Sequence, residues 1–322
     1  MHVRVIGAGP AGTSAALSAQ REGAQVSIYE KSKFPRHKVC GEFLSPEVSA
    51  LLTGLGVWEE CERQHPAVLN RIFLSLGKRS KTWRLPHAAR GLSRFQMDRI
   101  LLERAIGQGA ELYRESANPE PGTILARGRF LQSTTSDRLF GFKAHFTGSV
   151  DDVMSLFFFE RAYVGVNAVE GGFTNVCGLA SEAILSRYGF EIDEFLLNCR
   201  PLQERLAPLR RTMEWLTTGP LVFGPGEGQA DCYAAGDSAA FIDPFTGSGM
   251  LGAITVGILA GRAAAHGSAP AEHRKQWEKI VRGQQRAAGI LRSVVDSGWA
   301  ERLLPFVPGR ALFNSTRPGR AQ

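Results

Sequence analysis

The sequence predicts an α/β fold in which a strand–helix–strand domain built on a parallel sheet carries an inserted antiparallel β-sheet domain and a set of closing helices. Three observations predict it. The chain opens on an apolar strand, His2-Val3-Arg4-Val5-Ile6, which passes through a glycine turn into an Ala-rich helix and out into a second strand, Gln25-Val26-Ser27-Ile28-Tyr29. Between residues 139 and 179 the pattern changes to β-rich runs separated by charged or glycine-rich turns. From Asp231 onward a strand, a turn and a long apolar helix return to the character of the opening.

The elements follow in order. Ser45-Pro46-Glu47 starts a helix: Ser45 can cap it, Pro46 suits its first position and Glu47 complements its dipole. Residues 71–76 and 82–85 read as short strands, and 97–106 carries apolar residues at helical spacing. Asn118-Pro119-Glu120-Pro121-Gly122 is a turn-rich connection into the strand-like Thr123-Ile124-Leu125-Ala126. The antiparallel sheet draws on 139–146, 153–159, 163–169 and 173–179, with helices expected over 181–188, 192–199 and 202–207 and a strand pair near 212–215 and 221–223. Residues 231–235 resume the parallel sheet and 247–265 form its long helix. The expected division is a discontinuous domain of residues 1–75, 93–132 and 229–322, with 76–92 and 133–228 forming the second.

The chemistry is carried by two motifs far apart in the chain. In Gly7-Ala8-Gly9-Pro10-Ala11-Gly12, Gly7 permits the tight turn after the strand, Gly9 lets the backbone approach a pyrophosphate and Gly12 lets the helix pack on the sheet. Glu30, followed by Lys31, ends the second strand about twenty residues on, where an acid binds ribose hydroxyls and disfavours a 2′-phosphate. In the second motif, Gly236-Asp237 offers a carboxylate at a strand end for ribityl hydroxyls, and Pro244, Gly247, Ser248 and Gly249 open a helix. The positive end of that helix suits the N1 and O2 edge of a reduced flavin. A long cofactor needs both sets of contacts, so the cofactor expected is FAD on a Rossmann-like FAD-binding domain. No second glycine fingerprint serves a nicotinamide, because Gly224-Pro225-Gly226-Glu227-Gly228 lacks the strand–helix context.

Two further segments carry a family resemblance. Phe34-Pro35-Arg36-His37-Lys38-Val39-Cys40-Gly41-Glu42-Phe43-Leu44-Ser45-Pro46 and Gly91-Leu92-Ser93-Arg94-Phe95-Gln96-Met97-Asp98, taken with the cofactor motifs, resemble the FAD-dependent oxidoreductases of the p-hydroxybenzoate-hydroxylase fold. That family includes flavoprotein monooxygenases, flavin-dependent halogenases and geranylgeranyl reductases, and the first segment is most similar to the reductases. The resemblance places Arg36 and Arg94 near the cofactor and turns Cys40 and Glu42, the candidate catalytic residues, toward the flavin or substrate. It implies a cysteine that supplies a proton or guards the reduced flavin, and NAD(P)H as a transient electron donor without a domain of its own. Lys143, His145 and Tyr163 lie on β-runs that can line the substrate side. Three departures stand out, the first being that Ala110 to Thr123 is too short for the β-meander that precedes the family's mid-chain Asp-Gly motif. The family's mid-chain Asp-Gly motif is matched here by Ala126-Arg127-Gly128-Arg129, without the acid, and Trp83, Trp215 and Trp277 stand alone where a halogenase carries paired tryptophans.

The expected function is therefore an FAD-dependent reductase or dehydrogenase acting on a small, largely apolar organic or prenyl-type substrate. A monooxygenase using O2 is the alternative, and an abbreviated non-catalytic module that binds flavin or a partner is the second. Composition narrows the rest. The five cysteines are odd in number and lack metal-ligand spacing, which argues against a disulfide framework and a zinc site. The apolar run from Met250 is broken by Gly252, Gly257, Gly261 and Arg262, so no integral membrane segment is expected, and with no leader visible the expected location is cytoplasmic. The net charge of +7 reads mainly as surface charge, with no nucleic-acid motif. Its mild cluster at Arg274, Lys275, Lys279, Arg282 and Arg286 suits weak peripheral attraction to lipid head groups better than a nucleic acid.

Overall fold

The computed structural model describes residues 1–128, 138–221, 224–225, 229–241, 247–296, 299–306 and 308–309. The chain runs β1 (His2–Ile6), α1 (Pro10–Arg21), β2 (Gln25–Tyr29), β3 (Phe43–Leu44), α2 (Pro46–Gly54), α3 (Trp58–Glu62), β4 (Ala67–Leu76), β5 (Arg79–Gly91), α4 (Arg94–Gly107), β6 (Glu111–Tyr113) and β7 (Ile124–Leu125). It continues with β8 (Leu139–Thr147), β9 (Val153–Phe159), β10 (Ala162–Ala168), β11 (Phe173–Ser181), α5 (Glu182–Ser186), α6 (Ile192–Leu196), α7 (Arg200–Leu206), β12 (Arg210–Arg211) and β13 (Leu216–Leu221). Then follow β14 (Gly224–Pro225), β15 (Tyr233–Ala234), β16 (Ala240–Phe241), α8 (Gly249–Ala265), α9 (Pro270–Asp296) and α10 (Trp299–Leu303).

Five strands form the parallel sheet, in the order β15-β7-β1-β2-β6. Helix α1 is built of small residues, and ten of its twelve, Pro10 to Ala19, are buried between that sheet and α8. The two helices meet backbone on backbone. A Cβ on Gly257 would lie 2.3 Å from the Ala11 carbonyl oxygen and one on Gly261 would lie 2.2 Å from that of Ala15, so no side chain fits at either crossing. The Ser18 hydroxyl closes the seam by donating to the Ile258 carbonyl at 3.0 Å.

The second layer is a mixed sheet in the order β12-β8-β11-β10-β9-β4-β5-β3, with β13 also on β8. Strand alternation gives it two unlike faces. Phe142, Ala144, Phe146, Val164, Val166 and Val176 point to one, where Phe195, Leu196 and Leu202 of α6 and α7 complete an apolar core. The other bears Lys143 and His145 on β8, paired in register with Cys177 and Asn175 on β11. That face looks toward the parallel domain.

Three local expectations differ from what is seen. Ser45 stands at the N-cap of α2, but its hydroxyl is buried without a partner, so Pro46 and Glu47 alone mark the start. Residues 212–215 form no strand, because Trp215 turns edge-on to Phe142 and Phe146, at 5.6 and 5.8 Å, and covers the apolar face; the ladder resumes at Leu216. Strands β4 and β5 reach ten and thirteen residues, longer than the runs at 71–76 and 82–85, because pairing with β9 and with each other carries their polar, exposed ends into the sheet.

Candidate functional site

The site begins where β1 ends. Gly7 has φ +106°, in the left-handed region that favours glycine, and a Cβ there would lie 2.2 Å from the Ala126 carbonyl oxygen; one on Gly12 would lie 1.8 Å from that of Gly7. The turn is thus drawn tight under β7 and against its own helix. Glu30 closes it from β2: its carboxylate accepts the Ala8 N–H at 3.0 Å and the Ser32 N–H at 2.8 Å. Burial works to raise its pKa, but these two main-chain bonds outweigh burial and hold the group below the usual carboxylate range. Each oxygen keeps a further lone pair for a ribose hydroxyl.

Gly9 is different, because space is left beside it. A Cβ on Gly9 would meet only the Lys38 Nζ at 3.8 Å and the Arg94 Nη2 at 3.9 Å. Two cations therefore flank an opening at the positive end of α1, the arrangement a pyrophosphate needs. Arg94 is anchored by Asp98, fully buried one turn along α4, through bonds of 2.6 and 2.7 Å. Burial opposes the guanidinium charge, but the Asp98 charge and hydrogen bond overcome it and raise the Arg94 pKa. Lys38, pressed by burial and by the Arg94 charge, is lowered to about 8, with Asp98 offsetting part of the shift. Lys31 and Arg36 are exposed, the latter with its guanidinium 5.7 Å from the Phe34 ring centre.

The second motif meets the first. Gly236, at φ +60°, opens a 3-10 turn in which a Cβ would stand 2.7 Å from the Cβ of Ala11, so the turns at residues 7–12 and 236–238 touch across α1. The Ser238 hydroxyl ties this turn to the Gly128 carbonyl at 3.0 Å. Asp237, Gly236, Phe241, Gly249 and Val281 help line a cavity of about 50 Å3 at the start of α8. Ser248 is fully buried before that helix, and Gly247 lies against the Phe43 ring. Pro244 lies outside the described residues.

Residues 36–42 fill the seam between these turns and the polar face of the sheet. The Cys40 carbonyl accepts from the Asn175 amide at 3.1 Å, and its Sγ accepts the Glu42 N–H at 3.5 Å. Glu42, at φ 52°, is wholly buried. Its carboxylate receives the Lys143 ammonium at 2.5 Å, the His145 ring at 2.7 Å and the Arg94 main-chain N–H at 2.7 Å. Burial works to raise its pKa, and the His145 hydrogen bond with the Lys143 charge more than reverses that. His37 stacks on Phe95 at 4.9 Å and stands edge-on to His145 at 5.0 Å; burial, then the Lys143 and His145 charges, lower its pKa. The ligand atoms of His37, Glu42 and His145 lie within 4.8 Å of one another, but Lys143 already neutralises the carboxylate and repels a further cation.

The structure thus gathers Gly7, Gly9, Pro10, Ala11, Gly12, Glu30, Arg94, Gly236 and Asp237 around α1, with Cys40 and Glu42 in the adjoining seam and Lys31 and Arg36 on its outer rim. Two further residues beside this site carry no expected cofactor contact from sequence. Asp98 was signalled only by its four-residue spacing from Arg94 on one helix face. Lys38 was signalled by its place in the basic run after the acid-bearing strand.

The fold is the one seen in solved flavin-dependent proteins, and the glycine turn of the site lies in its FAD-binding part. Residues 1–118 of this chain match the family described as FAD binding domain. Over 65 residues, 20% of this chain and 16% of the relative, it is 43% identical to a menaquinone reductase of Mycolicibacterium smegmatis, so the match spans about one-sixth of that protein. Among solved structures it resembles the flavin-dependent brominase Bmp2, with TM-score 0.79 and 17% identity over 99% of this chain and 95% of that one. It also resembles a geranylgeranyl bacteriochlorophyll reductase-like protein of Thermoplasma acidophilum, with TM-score 0.71 and 18% identity over 97% and 89% of the two chains.

Proposed function

We infer that this protein is an FAD-dependent reductase or dehydrogenase that acts on a small, largely apolar organic or prenyl-type substrate in the cytoplasm, its flavin reduced by transiently bound NAD(P)H. The observation that carries the reading is the position of residues 36–42, which touch the phosphate-side opening through Lys38 and the inserted sheet through Cys40 and Glu42. FAD, when bound, supplies the two-electron chemistry. Gly7, Gly9, Pro10, Ala11 and Gly12 with Lys38 and Arg94 hold its pyrophosphate, and Lys31 and Arg36 add positive charge at the rim. Glu30 takes the adenosine ribose. Gly236 and Asp237 would take the ribityl chain, and Gly247, Ser248 and Gly249 at the start of α8 would serve the ring. Cys40 would serve the bound flavin as a proton source or guard, and the buried Glu42 keeps the loop fastened to Lys143 and His145. The 43% identity to part of a menaquinone reductase agrees with a reductase, and 44% identity over 62 residues to a 6-methylpretetramide 4-monooxygenase of Streptomyces rimosus agrees equally with the monooxygenase alternative.

The test is spectroscopic. Purified protein should be yellow and should bleach anaerobically with NADPH or NADH, and Cys40→Ala should slow turnover while leaving flavin bound. A colourless protein that ignores added FAD refutes the reading and favours a non-catalytic module. Oxygen uptake with a hydroxylated product changes the assignment to monooxygenase.

A further inference from the structure

The closing helices carry a feature that the flavin site does not use. On α9, His273, Trp277, Val281 and Ala288 are buried, at the spacing of one helix face. Lys275, Lys279, Arg282 and Arg286 are all exposed, and their steps of four, three and four residues align them as a stripe on another face. One turn beyond Arg286 the next position on that stripe is Ile290, 65% exposed. Leu303, at the end of α10, is 44% exposed, and Phe306 three residues on is 81% exposed, the most open large apolar side chain among the described residues. The β4–β5 hairpin is fixed beside them: Glu301 accepts the Lys78 main-chain N–H at 3.0 Å, and the Lys81 ammonium donates to the Pro305 carbonyl at 3.1 Å. The hairpin adds exposed Lys78 and Arg79 to the same end of the molecule. Of the nearby acids, Glu278 pairs with Arg282 and Glu301 with the hairpin, while Glu272 stands exposed at the N-terminal end of the stripe, away from Ile290 and Phe306 in sequence.

We propose that this surface docks the protein on an anionic lipid bilayer, with the α9 stripe and the hairpin cations on the head groups and Ile290, Leu303 and Phe306 entering the interface. A predominantly basic stripe beside exposed apolar side chains is what an interfacial helix needs, and neither component suffices for firm attachment alone. A nucleic acid would answer the cations and leave the three apolar side chains in water. Among the described residues no helix is long and apolar enough to cross a membrane, so the attachment is peripheral.

Co-sedimentation of the full chain with vesicles tests this, and it does so whether or not the flavin reading holds, because no redox step is read. Vesicles of phosphatidylcholine with one-third phosphatidylglycerol should pellet the protein, and pure phosphatidylcholine vesicles should not. Each basic side chain near such a surface changes partitioning about fivefold, so Lys275→Glu/Lys279→Glu/Arg286→Glu should weaken binding by at least about tenfold. Phe306→Ser should weaken it too while keeping its salt dependence. Unchanged far-ultraviolet circular dichroism in both variants guards against misfolding. Equal binding to the two vesicle types, no binding to either, full retention by the triple variant, or preference for an RNA homopolymer over the anionic vesicles overturns the proposal.

Discussion

Glu42→Gln is the most informative single substitution. It keeps the shape of the side chain and removes its charge, leaving the fully buried Lys143 ammonium opposite a neutral amide. Breaking a buried ion pair from one side costs about 3–5 kcal/mol, because the remaining charge is stranded away from water. Typical domains are stable by only ~5–15 kcal/mol, so a large share is lost. Urea unfolding of the flavin-free protein, followed by far-ultraviolet circular dichroism, reads this as a lower midpoint at constant slope. Replacing both partners, as Glu42→Gln/Lys143→Met, removes the stranded charge and should recover most of the loss. The wild type has a further signature in acid. Glu42 has a folded pKa below its unfolded value of about 4.3, so its contribution is complete above that pH and is lost as pH falls through the folded value. The Gln variant lacks that component. A single variant destabilised by less than about 1 kcal/mol, or a double variant no better than the single, refutes the reasoning.

Lys38→Met should weaken FAD affinity about tenfold or more, the worth of a charge-assisted hydrogen bond, in a fluorescence titration. In the wild type that affinity should decline as pH rises past about 8, because binding beside phosphate must then restore the Lys38 proton; a profile identical to that of the Met variant removes Lys38 from the site. Asp98→Asn should cost about 3–5 kcal/mol and loosen FAD, since it strips the buried partner from Arg94, and an unchanged unfolding midpoint contradicts that. Gly261→Val places a side chain where a Cβ alone stands 2.2 Å from the Ala15 carbonyl oxygen; a loss of about 3 kcal/mol is expected in thermal unfolding, and wild-type stability would show that the two helices can part. Asp237→Ala should lower the flavin content of purified protein, measured by absorbance, and unchanged occupancy removes its ribityl role.

What the sequence made legible was local. The turn at residues 7–12 is dictated by sterics within a few residues, Glu30 sits at the end of a strand with a clear apolar pattern, and α4 and α8 show helical spacing along their own length. The meeting of Gly236 with Ala11 followed from the shape of one long cofactor. The contacts of Glu42 were not legible, because Lys143 and His145 lie about a hundred residues away and are brought to it only by the β8–β11 register. Strand β5 was underread for a different reason: its many exposed polar residues carry no core signal, and its length is set by its partner β4. Ser45 shows the converse, a good capping residue in the right place whose hydroxyl finds no N–H.

Arg94 belongs to both halves of the molecule. Its main-chain N–H is held by Glu42, itself clamped to the sheet, while its guanidinium stands beside Gly9. One amino acid therefore joins the opening beside Gly9 to the carboxylate that grips strand β8. By linkage, whatever free energy a ligand at β8 lends to one beside Gly9 is returned in equal measure and with the same sign.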